Sequence, residues 1–136
     1  MLEDIARKYY KEGYNCAESM IRAGNEYYQL GLHEKDMNMM APFGGGMQVG
    51  DVCGALIGSC AIIGAKYIES KAHDFPEIKK LNPTFIRAFQ AEFGSRLCAQ
   101  IKPTHYSKEL HCQNTVGKAA HILEDILKSW DIESTK

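Results

Sequence analysis

The sequence predicts an all-α protein, folded as one compact bundle of about five to six helices with a glycine-rich helix at its centre. Three observations support this fold class. Apolar residues recur three or four positions apart in segments bounded by glycine, proline and capping residues. No stretch of useful length alternates apolar and polar residues as a strand does. The 136 residues are 45% hydrophobic and 24% charged, which suits a single domain over residues 1–136 with a core of its own.

Clear boundary signals mark the helices in the first third of the chain. Residues 2–12 form an amphipathic segment that is closed by a glycine, as helices often are. Asn15, followed three positions later by Glu18, forms a capping-box pattern that predicts the start of a second helix. This helix is expected to extend to about Leu30, and a short turn or helix is expected over residues 33–40.

A glycine-rich central helix is predicted over residues 50–70, with Asp51 as its cap. Gly50, Gly54 and Gly58 recur every four residues within it. Each glycine inside a helix costs about 1 kcal/mol relative to alanine, so their repetition indicates a smooth face. We expect that face to let a second helix, or a bound group, come close to the helix axis.

The second half of the chain contains three more helical segments. A helix that has Pro83 at its first position is predicted to end at Gly94. Residues 96–102 predict one further turn or short helix, which Pro103 ends. The last helix is expected over residues 112–130, where apolar residues follow the helical period.

Charge and hydropathy exclude several classes of protein. Sixteen basic and seventeen acidic residues give a formal net charge of -1, and no basic block is interleaved with aromatic residues, so nucleic acid is not an expected partner. The most apolar stretch, residues 52–65, is shorter than the roughly 20 residues that cross a membrane, so no membrane insertion is expected. The N-terminal segment lacks the apolar run of a signal peptide, which favours a cytoplasmic location.

Five cysteines are many for a chain of this size, and their odd number without a secretion signal argues against a disulfide scaffold. Metal binding or thiol chemistry is the stronger interpretation. Cys16, Cys53 and Cys112 fall in the first turns of predicted helices, where amide N–H groups and the helix dipole favour a thiolate. We therefore expect lowered pKa values for these thiols. Cys60 lies among apolar residues of the central helix and is expected to fill the core.

Short cysteine motifs are missing from the sequence. No Cys-x-x-Cys or Cys-x-x-Cys-His pattern is present, which excludes a thioredoxin-like motif and covalently attached c-type haem. The dispersed cysteines also weaken a zinc site, because zinc ligands usually come in closely spaced pairs. His105 and His111 flank Cys112 and are candidate ligands or proton carriers, although such histidines are more often solvated loop residues.

The order and flanks of four cysteines match a known family. They are Gly-Tyr-Asn-Cys16-Ala-Glu, Cys53-Gly-Ala-Leu-Ile-Gly58, Phe93-Gly-Ser-Arg-Leu-Cys98 and Cys112. Over about residues 3–130 the chain resembles the C_GCAxxG_C_C family of redox-active proteins. The resemblance implies a redox role for Cys16, Cys53, Cys98 and Cys112, and Cys60 lies outside the motif.

The same family is similar to the helical part of split-Soret cytochromes, which carry c-type haems and an iron–sulfur centre. Because this chain lacks the haem-attachment motif, only the cluster carries over. The resemblance then implies that Cys16, Cys53, Cys98 and Cys112 are metal ligands as well as redox residues. Gly54 and Gly58 would give a cofactor close access to the helix.

Three functions stay open at this point. Four thiolates meet the ligand demand of an iron–sulfur cluster in an electron-transfer protein. A metal-free protein would exchange electrons through a reversible disulfide. A structural zinc or interaction module is the third reading. A redox partner protein is implied by the first two, and the glycine-rich helix offers a surface for a homo-oligomer. No nucleophile–base–acid set indicates a hydrolytic enzyme.

Overall fold

Seven α-helices form the framework of residues 1–134, the part of the chain that this computed structural model describes. They are α1 (Leu2–Lys11), α2 (Cys16–Tyr28), α3 (Glu34–Asn38), α4 (Gly54–Tyr67), α5 (Ile78–Phe93), α6 (Cys98–His105) and α7 (Gln113–Ser134). The described residues contain no β-strand, only two isolated bridges between extended residues. The all-α fold class predicted from the sequence is therefore confirmed, with slightly more helices than expected.

Helix α2 lies at the centre of the packing. It packs most extensively against α4 and also against α1, while α1 lies along α7 and α5 packs on α7. The core between these helices is filled by fully buried side chains, among them Phe85 and Phe89 of α5, Met20 of α2 and Ile62 of α4. Burying such side chains is the main favourable term in folding. No helix within the described residues is long and apolar enough to cross a membrane.

The capping box that starts α2 is formed as predicted. The Asn15 side chain accepts a hydrogen bond from the Glu18 N–H at 2.9 Å, and the Glu18 carboxylate accepts one from the Asn15 N–H at 3.0 Å. The Asn15 amide also donates to the Ala41 carbonyl at 2.9 Å. Asn15 therefore fixes the start of α2 and ties it to the loop that precedes α4.

Glycines make the close packing of α2 and α4 possible, as the repeated spacing indicated. A Cβ atom on Gly58 would lie 2.7 Å from the Met20 Cβ and 2.9 Å from the Ala17 carbonyl oxygen, both on α2. A Cβ atom on Gly24 of α2 would lie 2.5 Å from the Ile62 side chain of α4. The group that approaches the glycine face is thus helix α2, and this face is covered inside the chain.

The central helix begins later than predicted, so the assignment of Asp51 as its cap and of Gly50 to the helix was wrong. Residues 45–48 all have positive φ, including Met47 at 58° and Gln48 at 67°, and form a left-handed turn closed by a hydrogen bond from the Asp51 N–H to the Gly46 carbonyl at 2.9 Å. Gly50 follows with φ of 75°. Because these residues are not right-handed, α4 starts only at Gly54.

Two prolines lie inside helices, although the sequence predicted that Pro83 would start one helix and that Pro103 would end another. Helix α5 begins at Ile78, so Pro83 lies in its second turn, and Pro103 lies inside α6. A proline there removes one backbone N–H bond from the helix. The free energy gained by burying Leu81 and Phe85 of α5 outweighs that loss. This gain comes from packing against other helices, so local sequence does not show it. The last helix begins one residue later than predicted and extends to Ser134.

Helix α1 is fixed to α7 by buried polar contacts. The Glu124 carboxylate, which is 2% exposed, accepts a hydrogen bond from the Leu2 N–H at 2.8 Å and so caps α1. Although burial alone would raise the pKa of Glu124, this N–H and the Lys128 ammonium at 3.0 Å hold it below its usual value. The guanidinium of Arg7 donates to the Asn114 side chain at 3.0 Å. These contacts set the position of α1 along α7.

We expect Gly58→Ala to destabilise the protein by about 1–3 kcal/mol, because its new methyl group would overlap backbone and Cβ atoms of α2. Gly64→Ala in the same helix is the matched control. No atom of a neighbouring element in the described chain lies within 4 Å of its added Cβ, so helix propensity should make this variant more stable by up to about 1 kcal/mol. Urea unfolding of both variants measures the two effects. Equal stabilities would contradict close packing at Gly58.

Candidate functional site: a cavity lined by four cysteines

Cys16, Cys53, Cys98 and Cys112 line one cavity of about 140 Å³. The rest of its wall comes from polar and apolar residues of several elements: Tyr10, Asn15, Gly45, Ile101, Lys102, Tyr106, His111 and Thr115. A site for one water needs roughly 10–15 Å³, so the cavity is large enough for a group of several atoms. Folding thus brings together four thiols that are far apart in the sequence.

Each of the four cysteines stands at the start of a different helix. Cys16 and Cys98 are the first residues of α2 and α6. Cys53 is the N-cap of α4, and the Cys112 carbonyl accepts a hydrogen bond from the Val116 N–H at 3.0 Å in the first turn of α7. The sequence analysis placed Cys16, Cys53 and Cys112 in this way, and the structure adds Cys98. Four helix N-termini therefore meet at the cavity, with their amide N–H groups near it.

A short antiparallel backbone contact holds Cys53 and Cys98 beside each other. The Cys53 N–H donates to the Arg96 carbonyl at 2.8 Å, and the Cys98 N–H donates to the Asp51 carbonyl at 2.7 Å. Val52 and Leu97 lie opposite each other between these two bonds. This reciprocal pairing links the starts of α4 and α6, which local sequence patterns did not indicate.

Gly54 gives the Cys16 sulfur its place in the site. A Cβ atom at Gly54 would lie 2.5 Å from the Cys16 Sγ and 2.9 Å from the Phe43 carbonyl oxygen. A side chain there would have to displace the sulfur or the backbone. The close approach expected at Gly54 is therefore made within the chain, to a cysteine sulfur and to α2, and Gly58 faces α2 alone.

Burial makes the Cys53, Cys98 and Cys112 thiols harder to ionise, so the expectation of lowered pKa values was wrong for Cys53 and Cys112. Burial, with a smaller contribution from the facing Cys16, raises the pKa of Cys53 to about 12. The N–H groups of Ala55 and Leu56 at the start of α4 favour the thiolate but do not offset burial. Burial also raises the pKa of Cys98 and of Cys112. At neutral pH these three thiols keep their protons unless a positive group enters the cavity.

Tyr10 and Lys102 are among the wall residues that the sequence analysis missed. The Tyr10 hydroxyl oxygen of α1 accepts a hydrogen bond from the Cys112 N–H at 3.0 Å, a contact that spans 102 positions and has no local signal. The positive charge of Lys102 favours the thiolate forms of Cys98 and Cys112, although less than burial opposes them. Lys102 follows Cys98 by four residues, a helical spacing that would have placed the two side chains on one face.

The two histidines near Cys112 differ in position. His111 lines the cavity, and its Nδ1 is hydrogen-bonded to the Tyr106 hydroxyl. His105 is not part of the cavity wall and packs edge-on against the Phe93 ring, with centroids 5.1 Å apart. Their suggested roles as ligands or proton carriers stay predictions.

None of the five cysteines forms a disulfide. Among the described residues, no group of three or more Cys, His, Asp or Glu side chains is arranged to hold a single metal ion. Cys60, which was expected to fill the core, lies in the middle of α4, away from the cavity wall, and is partly buried against the core. Burial raises its pKa to about 11.

A comparison with family models agrees with the cysteine pattern of this site. Residues 14–126 match the model described as "Putative redox-active protein (C_GCAxxG_C_C)". Searches of curated proteins and of solved structures find no match to the chain. The relation to split-Soret cytochromes stays a prediction. Since the matched region covers most of the chain and includes all four cysteines of the cavity, the chain belongs to the C_GCAxxG_C_C family.

Proposed function

We propose that the chain is an electron-transfer protein that holds an iron–sulfur cluster on Cys16, Cys53, Cys98 and Cys112. The observation that supports this function is the convergence of these four cysteines, from four helix starts, on one cavity of about 140 Å³. Four cysteine thiolates are the usual ligand set of [2Fe–2S] and [4Fe–4S] centres. A cytoplasmic location, a redox partner protein and a homo-oligomer stay predictions.

The four cysteines are not arranged to hold a single metal ion, and for this reason we favour a cluster over zinc. Around zinc every sulfur lies about 2.3 Å from the same metal atom. No three side chains of the described residues are arranged around a point in that way. The ligands of a cluster bind different iron atoms, so they surround a larger volume. A structural zinc site is therefore the weaker proposal.

The protein's own groups would prepare the thiols for metal binding. The Cys53, Cys98 and Cys112 thiols are protonated at neutral pH because burial raises their pKa values. A positive metal centre offsets that cost, and ligand binding then releases the protons. The N–H groups of Ala55 and Leu56 and the charge of Lys102 stabilise the resulting negative sulfurs. The cluster, when bound, supplies one-electron transfer.

A metal-free dithiol protein is the second candidate, and one observation favours it. Cys16 lines the same cavity as Cys53, Cys98 and Cys112, and a negative charge on it would raise the pKa of each of these three. Cys16 could form a disulfide with one of them, and the two thiols would lose two protons and two electrons to the disulfide of a partner protein. Cys16 would then be the common member of any disulfide found.

We expect the purified protein to take up iron and sulfide during anaerobic reconstitution and to become coloured. Serine at Cys16, Cys53, Cys98 or Cys112 should remove most of the bound iron, because each substitution deletes one ligand. Cys60→Ser is the matched control and should retain wild-type iron content, since Cys60 does not line the cavity. Iron and sulfide analysis with the visible spectrum measures the result.

A colourless, iron-free wild type under these conditions would reject the cluster. In that case, thiol counting before and after mild oxidation decides whether the second candidate holds. An unchanged thiol count would reject it as well, and stoichiometric zinc would support the structural reading.

We expect Gly54→Ala to lower iron retention in the reconstituted protein, because the added methyl group displaces the Cys16 sulfur. Gly58→Ala crowds the same pair of helices without touching Cys16, so it controls for loss of stability. Comparison of iron content at equal degrees of folding separates the two effects. Equal iron loss in both variants would mean that Gly54 has no special role for Cys16.

In the metal-free protein, Cys53 should react with iodoacetamide far more slowly than an ordinary cysteine. A pKa of about 12, compared with 9 for an unperturbed thiol, lowers its thiolate fraction at neutral pH about a thousandfold. The rate should rise steadily as the pH is raised toward 12. Mass spectrometry of labelled peptides measures this rate, with the urea-unfolded chain as the control. Rapid labelling of Cys53 in the folded protein at pH 7 would contradict a buried, protonated thiol.

A further inference from the structure

The backbone N–H groups of Cys53, Cys98 and Cys112 each donate a hydrogen bond, but only the Cys112 N–H donates to a side chain. The N–H groups of Cys53 and Cys98 donate to backbone carbonyls, in the reciprocal pairing between the starts of α4 and α6. The Cys112 N–H donates instead to a side chain, the hydroxyl oxygen of Tyr10, at 3.0 Å. The Tyr10 hydroxyl therefore accepts the N–H of Cys112, as backbone carbonyls accept the N–H groups of Cys53 and Cys98.

The local chain bonds the Cys112 carbonyl, whereas the partner of its N–H comes from α1. Cys112 follows a tight turn, residues 107–111, in which the Ser107 and His111 backbones bond each other at 2.7 and 3.1 Å and His111 has φ of 53°. Cys112 is only partly buried, whereas Cys16, Cys53 and Cys98 are buried. The less buried Cys112 therefore depends on another element for the partner of its N–H.

Helix α1 supplies that contact from a fixed position. The Glu124 carboxylate caps its first turn through the Leu2 N–H, and Arg7 donates to Asn114 in the first turn of α7, next to Cys112. One turn after Arg7, the Tyr10 ring is half-buried and its hydroxyl reaches the cavity wall. Tyr10 lies before residue 14, outside the region that matches the family model.

The Tyr10 hydroxyl can donate a hydrogen bond as well as accept one. Its oxygen accepts the Cys112 N–H, so its own proton is free for another acceptor, and Tyr10 and Cys112 line the same cavity. We propose that Tyr10 is a positioning residue of the site, whose hydroxyl holds both the backbone and the sulfur of Cys112 toward the cavity. The inference rests on the proposed function, in which Cys112 is one of the working cysteines.

Two effects follow for the reconstituted protein. A hydrogen bond to a ligating sulfur stabilises the more negative, reduced form and so raises the reduction potential. Loss of a group that orients a ligand typically weakens metal binding by a factor of about 10–100. Tyr10→Phe, which removes only the hydroxyl, should therefore lower the reduction potential and speed iron loss to a chelator roughly tenfold.

The test compares reconstituted wild type, Tyr10→Phe and Tyr9→Phe by redox titration and by the rate of iron loss to a chelator. Tyr9→Phe is a matched control, because the Tyr9 hydroxyl bonds the exposed Glu26 at 2.7 Å, away from the cavity. A lower potential and faster iron loss in Tyr10→Phe alone support the inference. Unchanged values in Tyr10→Phe, or equal changes in both variants, overturn it.

Two further measurements keep the inference separate from the cluster itself. In a Cys112→Ser background, Tyr10→Phe should cause no additional loss of iron, since Tyr10 acts through Cys112; an additional tenfold loss overturns the inference. If the wild type takes up no iron, the cluster proposal fails. The role of Tyr10 is then tested on the disulfides that form during mild oxidation. A smaller share of Cys112 in those disulfides in Tyr10→Phe than in Tyr9→Phe supports a positioning role, and equal shares overturn it.

Discussion

The close packing of α2 against α4 is the contact on which the rest of this structure depends. Gly54 and Gly58 let the two helices approach until the Cys16 sulfur lies against the α4 backbone. That approach sets the N-terminus of α2 beside the N-terminus of α4 and so brings Cys16 to the same cavity as Cys53. Glycine is unfavourable inside a helix, so its presence here reflects the space that packing requires. The short run from Cys53 to Gly58 thus contains one thiol of the cavity and the two glycines that allow α2, which carries Cys16, to pack beside it.

Two opposing electrostatic effects act on the thiols of this cavity. Four helix starts direct N–H groups and positive dipole ends at it, which favours negative sulfur. Burial opposes ionisation more strongly, so the pKa of Cys53 reaches about 12 and those of Cys98 and Cys112 are also raised. The cavity is therefore a poor place for lone thiolates and a suitable one for sulfurs whose charge is shared with a positive group. This balance is the physical basis for proposing a cluster there.

Helix α1 extends the site beyond the region that defines the family. Residues 14–126 match the family model and include all four cysteines, yet Tyr10 reaches the cavity from outside that range. Its position depends on the contacts that fix α1 on α7, above all the buried Glu124 carboxylate at the first turn of α1. The geometry around Cys112 is thus set partly by a segment that the shared motif does not contain.

Local sequence patterns determined the helical fold class, the capping box of Asn15 and Glu18, and the positions of Cys16, Cys53 and Cys112 near helix starts, because capping and periodicity depend on neighbours in the chain. Cys98 was included only through the resemblance to the family. Local patterns misplaced the start of α4 and the role of Pro83, since a left-handed turn and burial of the α5 face decide those boundaries. Tertiary structure alone decided the direction of the thiol pKa changes and the contact of Tyr10 with Cys112. Desolvation and a hydrogen bond across 102 positions depend on which surfaces meet in the folded chain, and no local pattern contains that information.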